Sequence, residues 1–373
     1  MRGEKYCDKN NAIYLFTAAF RNSSVGGEIE NFAVLHSNIV GPYPSAFNFS
    51  ENLKGLYLQK VKVTGANRKG LIKSLFSFSH TVHRLELTEC HLGNLNYTLV
   101  RGDFVFANIS GNEWTVSQGR SLYISGFSVN VKDNIIRVAE TGSGDIEMRV
   151  QEKGSLTLQN NILQQSGEVT KTLFEVMDIK FSSLINSVKM SRSNLGRIKS
   201  NFMSGIELEK NLEISDSTMK LDGEHVLNIT ASKFIFTHNH VEALITEALS
   251  VIVSDVASIT HNNFDHLQSQ SLSNIKPKTQ MSKLEFINNS FQAFERGFLE
   301  VHPDWDNSEM LALDKINLRV PCDCNLIQIA SSRETRTQTE NKLIKSSFCN
   351  GDTNSGNFIL HFIIFIFQRK FET

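Results

Sequence analysis

One unit recurs along this chain: an apolar-x-apolar triplet, a polar residue three positions later, and an apolar residue two beyond that. The clearest copies are "LEFINNSFQAF" (Leu284–Phe294), "FIFTHNHVEAL" (Phe234–Leu244) and "ASITHNNFDHL" (Ala257–Leu267). Weaker ones are "LEISDSTM" (Leu212–Met219), "VKMSRSNLGRI" (Val188–Ile198), "LTLQNNIL" (Leu156–Leu163), "LELTECHLGNL" (Leu85–Leu95) and "FAVLHSNI" (Phe32–Ile39). "LYISGFSV" (Leu122–Val129) and "LYLQKVKV" (Leu56–Val63) keep the apolar spacing but put Phe127 and Val61 at the polar position. Where the signal is strongest, copies follow one another at about 22–27 residues, the span of one solenoid turn. Wider gaps, such as that from Ile124 to Leu158, leave room for a degenerate copy or an inserted loop.

The chemistry of the unit is that of a strand entering a corner. An apolar-x-apolar triplet points two side chains inward and one outward. The chain then turns, and a polar side chain at the turn satisfies backbone groups that leave the ladder. Asn161, Asn239, Asn262 and Asn289 occupy that corner, with Ser37, Ser193, Ser217 and Cys90 in the same role. Stacked coils place them in a column about 4.8 Å apart, where amides bond between coils. Phe264, Phe291 and Phe294 are expected to fill the interior beside it.

Two solenoids suit such a unit. The form LxLxx[N/C]xLxxL resembles a leucine-rich repeat, and Cys90 sits where that family alternates asparagine with cysteine. "INLRVPCDCNLIQI" (Ile316–Ile329) resembles the start of the cysteine-rich cap that closes many extracellular leucine-rich-repeat proteins. Cys322 and Cys324 match its first two cysteines and Cys349 the third, while the fourth is absent. The resemblance makes Cys322, Cys324 and Cys349 disulfide candidates. The segments between copies, "LSVIVSDVAS", "DIEMRVQEKGSLTL" and "WTVSQGRSLYISGFSVNV", favour the other solenoid. They are alternating, rich in β-branched residues and broken by Gly and Ser, as second and third strands of a coil would be. The chain also resembles arthropod repeat proteins with a right-handed β-helix-like repeat and a CDC-type terminus, best over residues 150–330. The expected fold is all-β: a right-handed parallel β-helix of about twelve coils, with a leucine-rich-repeat solenoid as the alternative.

Composition supports a folded chain of 373 residues, 40% hydrophobic and 21% charged, with only 5 prolines to interrupt strand ladders. A formal charge of -1 and the lack of a basic run give no field for nucleic acid. The expected organisation is a solenoid over residues 1–319, a small cysteine-bearing cap over 320–350 and a hydrophobic tail over 351–373. The apolar run Ala12–Phe20 is short for a secretory signal and is followed by Arg21, so Ile13–Leu15 reads as a strand and the chain as starting inside a longer protein. The tail's run from Phe358 to Phe367 spans about half a bilayer, so membrane association through a truncated anchor is one expectation and a final strand another.

No phosphate-binding glycine loop, nucleophile elbow or zinc motif is present. His36, His238 and His261 share one position of the repeat, which suggests either a metal or pH-sensitive column or solvated corner residues; Asn288 replaces histidine in the next coil. "HPDWD" (His302–Asp306) reads as a loop between the last coil and the cap. The outward residues of the triplets give a candidate binding row: Glu86, Tyr123, Lys189, Glu213 and Glu285. Its mixed charge with an occasional aromatic suits a protein partner better than a nucleic acid, and it lacks the clustered Asp with Lys or Arg that a β-helix lyase or hydrolase acting on acidic polysaccharides would need. Sequons at Asn22, Asn48, Asn96, Asn108 and Asn228 are glycosylation candidates; a sixth, at Asn288, lies at a corner and would carry a glycan only if its side chain points out. Closely set cysteines outside a metal motif belong to an oxidising space. The sequence therefore points to a non-catalytic extracellular or cell-surface protein that needs no cofactor and binds an unidentified protein, with a β-helix carbohydrate-active enzyme as the rival.

Overall fold

The computed structural model describes residues 12–13, 30–40, 47–48, 53–64, 74–93, 95, 97–118, 121–143, 146–165, 172–307, 310–321, 338–350 and 358–359. The chain divides into two units, Met1–Ile185 and Asn186–Thr373. Each is a β-solenoid of nearly all-parallel strands.

In the first unit a main sheet stacks Asn31–Leu35, Gly55–Gln59, Ser74–Thr88, Thr98–Ser110, Leu122–Lys132 and Ile146–Gln159. A side sheet stacks Ala12–Ile13, Asn38–Val40, Lys62–Thr64, His91–Leu92, Glu113–Gln118, Ile135–Ser143 and Ile162–Gln165. Between Asn31–Leu35 and Ile162–Gln165 a two-residue corner joins each described main strand to its side strand. Where described, the segments that return between copies are mostly strand, up to the 15 residues of Ser74–Thr88, with one short helix, Leu173–Val176. A leucine-rich horseshoe would need helical or irregular returns there, so the β-helix alternative holds.

The second unit repeats the plan. Its main sheet stacks Ser187–Ser191, Met203–Ser215, Leu227–Thr237, Leu249–Thr260, Lys283–Ile287 and Met310–Asp314. Its side sheet runs from Asn194–Arg197 through Thr218–Leu221, His240–Leu244, Asn263–Leu267 and Ser290–Phe294 to Ile316–Pro321. It does not stop at residue 319: Ser347–Asn350 adds a parallel strand, and Phe358–Ile359 pairs antiparallel with that one. The sheet thus crosses both boundaries drawn from the sequence.

Alternation builds the core. Along Leu227–Thr237 the residues Leu227, Ile229 and Ala231 are buried, the phase shifts at the Ser232–Lys233 bend, and Phe234 and Phe236 then face inward, where phenyl rings stack from coil to coil. Phe236 and Phe264 lie 6.4 Å apart, and Phe264 and Phe291 5.1 Å apart at 8° between planes. Phe294 is only half-buried, stacked at 4.1 Å on the buried Phe298. It sits where the chain leaves the side sheet, so one ring face stays toward solvent.

The segment "HPDWD" is structural. It forms a 3-10 turn, Pro303–Asn307, whose Trp305 is fully buried and donates Nε1–H to Ile275 O at 2.7 Å. The Asp306 carboxylate accepts the backbone N–H groups of Gln338 and Thr339 at 3.0 and 2.8 Å, capping the helix Gln338–Lys345. Leu343 of that helix is buried. Among the described residues no helix is long and apolar enough to cross a membrane. Beyond Ile359 the apolar tail lies outside the described residues.

Candidate interaction surface

The polar corner residues form two buried columns. In the second unit Asn239, Asn262 and Asn289 are each at most 2% exposed. Asn239 donates Nδ2–H to Ile214 O (2.8 Å) and Asn262 Oδ1 (3.1 Å), and Asn262 repeats this to Phe236 O (2.8 Å) and Asn289 Oδ1 (3.0 Å). The same Oδ1 atoms accept the preceding corner's backbone N–H: Asn239 N to Asn262 at 2.9 Å, Asn262 N to Asn289 at 3.1 Å. Ser217 and Ser193 continue the column. Their shorter side chains cannot span to the preceding coil's carbonyl, so each hydroxyl donates to a carbonyl of its own coil, Ser215 O or Ser191 O. In the first unit the buried corner series is Ser37, Val61, Cys90, Asn112, Asn134 and Asn161. Cys90 N–H donates to Asn112 Oδ1 at 2.8 Å, Asn112 Nδ2–H to Asn134 Oδ1 at 3.0 Å, and Asn134 Nδ2–H to Asn161 Oδ1 at 2.9 Å.

Asn112 and Asn134 escape the sequence pattern for different reasons. "ANIS-GNEW" keeps the full spacing, Ala107-x-Ile109 then Asn112 and Trp114, but has Gly111 where the clear copies carry His or Asn before the corner. In the next coil the triplet before the corner is Val129-x-Val131, not Leu122-x-Ile124. Phe127 is no corner residue; it is 42% exposed on the main sheet.

The residue before each corner is left-handed. His36, Lys60, Glu89, Gly111, Asp133 and Asn160 in one unit, and Arg192, Asp216, His238, His261, Asn288 and Lys315 in the other, all have φ between 49° and 66°. This explains the histidines: they occupy a position where the turn imposes αL backbone, which Asn, Asp and His tolerate best after glycine. His238 and His261 stack at 4.6 Å and 11°, and Asn288 Nδ2 lies 3.0 Å from His261 Nε2. Stacked rings hold their nitrogens side by side, not converging. Among the described residues no group of three or more His, Cys, Asp or Glu is placed to hold a metal ion.

The binding row inferred from the sequence is three rows. Glu86 lies in the register Tyr57–Glu86–Asn108–Asn130–Thr157. Tyr123 belongs to another, Ser77–Arg101–Tyr123–Glu147–Asp178, because its triplet is not the corner copy. Lys189, Glu213 and Glu285 line the second unit's sheet with Ile235, Ser258 and Ala312. Most charges in these rows are engaged by neighbours on the next strand or two residues along the same one. Lys189 Nζ reaches Glu213 at 2.6 Å, Ser258 donates to Glu285 at 2.8 Å, and Arg84 Nε donates to Glu86 at 2.7 Å. Lys180 Nζ donates to the nearly buried Glu147 at 2.8 Å, and that bond, with a second to Asp178, raises the Lys180 pKa. Asp222 shows the opposite balance: partial burial would raise its pKa, but hydrogen bonds from Lys220 and Arg197 outweigh this and lower it.

An open groove of about 620 Å³ runs beside the first unit's corner, lined by residues including Tyr57, Glu86, Glu89, Ser110, Gly111 and Asp133. It exists where Gly111 leaves a gap in the αL column between Glu89 and Asp133. Its carboxylates are already engaged, Glu86 by Arg84, Glu89 by Lys60 at 3.4 Å and Asp133 by Asn160 Nδ2 at 2.8 Å.

The feature that sequence reasoning missed is aromatic. At the bend of the first unit's main sheet, Phe106 is 43% exposed and pairs in register with Ser128, next to the exposed Phe127. His83 packs edge-on to Phe106 at 5.3 Å, and Arg101 lies over the Tyr123 ring at 5.2 Å. In the second unit the main-sheet bend instead carries the ion pair Lys233–Asp255 at 3.4 Å. The rings go unnoticed in the sequence because an outward phenylalanine breaks no spacing rule.

Of the remaining expectations, Cys322, Cys324, Asn22 and Asn96 lie outside the described residues. Cys349 lies in Ser347–Asn350 and Asn48 in the strand Phe47–Asn48. Asn108 and Asn228 stand mid-strand in the main sheets, half-buried. Cys90 is a free, buried thiol whose pKa burial pushes up to about 11. Burial likewise holds Tyr97 well above the usual phenol range. Comparison with protein-family models, with curated proteins and with solved structures finds no match to this chain.

Proposed function

We propose that this chain is a non-catalytic extracellular or cell-surface repeat protein that binds another protein through the main-sheet face of its first unit. The observation that carries the reading is the exposure of Phe106 and Phe127 at 43% and 42%, one strand apart on a sheet whose charges are mostly paired internally. Aromatic side chains and arginine mark the energetic centres of protein interfaces, and here Arg101 on Tyr123 lies on the same sheet. Covering the exposed two fifths of each ring contributes about 1 kcal/mol, or about fivefold in affinity per ring. The closely set Cys322 and Cys324 support an oxidising compartment.

The test is an array of extracellular domains probed with the wild-type chain and with Phe106→Ser/Phe127→Ser. The expected result is a partner whose Kd rises about fivefold for each ring removed in the double variant, while Lys233→Ala leaves it unchanged. A partner that binds both variants equally refutes the surface. Release of oligosaccharides from acidic polysaccharides by the purified chain refutes the non-catalytic reading.

A further inference from the structure

We infer that Asn288 is an N-glycosylation site, better suited to a glycan than Asn108 or Asn228. It rests on the extracellular reading above. The triplet Asn288-Asn289-Ser290 is a sequon placed across a corner. The αL–β turn sends its two asparagines in opposite directions. Asn289 is fully buried in the column, whereas Asn288, at φ 57°, is exposed. Its Nδ2 is held only at the surface, 3.0 Å from His261 Nε2, and its column neighbours His261 and Lys315 are themselves exposed. A corner that looks packed in the sequence therefore has one side chain in the core and one in solvent. Glycosylated asparagines belong on such surface turns.

Asn108 and Asn228 are less suited. Asn108 stands between Glu86 and Asn130, and Asn228 between Ser204 and Ser250, each half-buried with strands on both sides. A glycan there must lie flat over the sheet; at Asn288 it projects from an edge. In the transfer, Asn288 Nδ2 bonds to the anomeric carbon of a lipid-diphosphate-linked oligosaccharide. The carbon–oxygen bond to the diphosphate breaks, the lipid diphosphate departs, and one amide proton goes to solvent. Nδ2 keeps its second N–H.

The experiment is to produce the full chain behind a cleavable signal sequence in insect cells and release glycans by amidase in ¹⁸O water. Peptide mapping then locates the labelled aspartates. Asn288 is expected to carry the label at more than half occupancy, and Ser290→Ala and Asn288→Asp are each expected to lose one glycan from the electrophoretic mobility. Asn288→Asp keeps a residue suited to αL backbone, so loss of the glycan is not loss of the fold. Export with Asn288 bare, whatever the state of Asn108 and Asn228, overturns this inference alone. Retention inside the cell with Asn288 glycosylated supports the site and counts against the extracellular reading. Retention with no sequon occupied overturns both.

Discussion

Asn262→Leu tests whether the buried amide column holds the coils together. The leucine is close in volume, so the change is in hydrogen bonding, not in packing. Two groups lose their partners: Asn239 N–H, which donates to Asn262 Oδ1 at 2.9 Å, and Phe236 O, which accepts Nδ2–H at 2.8 Å. Asn239 Nδ2 keeps Ile214 O, and Asn289 Oδ1 keeps the backbone N–H of residue 262. Leaving a buried polar group unsatisfied costs about 1–3 kcal/mol, so two cost about 4. Apolar burial of the leucine offsets about 1.5 kcal/mol of this. The net expectation is a loss of about 2.5 kcal/mol, read by urea unfolding in a Trp114→Phe background, where the buried Trp305 reports on the second unit. The exposed ion-pair variant Lys233→Ala is the control and is expected to cost under about 1 kcal/mol. Asn239→Leu combined with Asn262→Leu should cost less than the sum of the two, because one bond is removed twice. A loss below about 1 kcal/mol, or strict additivity, refutes the column as a source of stability.

Three further outcomes are expected. At pH 8 Cys90, with its pKa near 11 in place of 9.0, has roughly one-hundredth of an ordinary thiolate fraction. Iodoacetamide should therefore label it about a hundredfold more slowly in the folded chain than in urea. Its neutral form is favoured by folding, so this contribution is intact below pH 9 and is lost as pH rises through 9 to 11; urea titrations at pH 8 and 10.5 check the direction. His238→Asn should be nearly neutral in thermal unfolding and His238→Val should cost about 1–2 kcal/mol, since φ is 56° there; equal effects would show that the turn does not select the residue. Asp306→Ala should free the helix Gln338–Lys345 and expose its first turn to protease, with a stability loss of about 1 kcal/mol typical of a lost cap; an unchanged cleavage pattern would refute the capping role.

The asparagine corners were legible because they impose two constraints at once, an inward polar atom and a fixed distance to the next apolar residue. Leu284, Phe286, Asn289 and Phe291 all stand where that logic puts them. The coil carrying Asn134 was misregistered because Leu122-x-Ile124 has the same alternation one strand segment earlier, and alternation alone cannot say which end of a strand meets the corner. Tyr123 was consequently put in the wrong row. The His238–His261 stack was visible only as a coincidence of position; its cause, a left-handed backbone, has no side-chain signature when Lys, Glu and Arg also adopt it. The exposed Phe106 and Phe127 could not be told from core rings, since burial is decided by strands distant in sequence.

The intervals between successive column residues also bear on how such a chain can change length. They run 22, 22 and 27 residues from Cys90 to Asn161, and 24, 22, 23 and 27 from Ser193 to Asn289. Yet every corner keeps the same two-residue turn. The extra residues of the longest intervals include the bulge at Gln151–Gly154 and the segment carrying Ile275–Pro277. The observed length changes thus fall in the return segments, where they leave the inward side chains of the corner strands in place. One residue added between Phe236 and Asn239 would turn the following strand inside out. A gene encoding this fold can lengthen, shorten or decorate its coils at the returns, while the two-residue hinge and the strands beside it keep the frame for the rest.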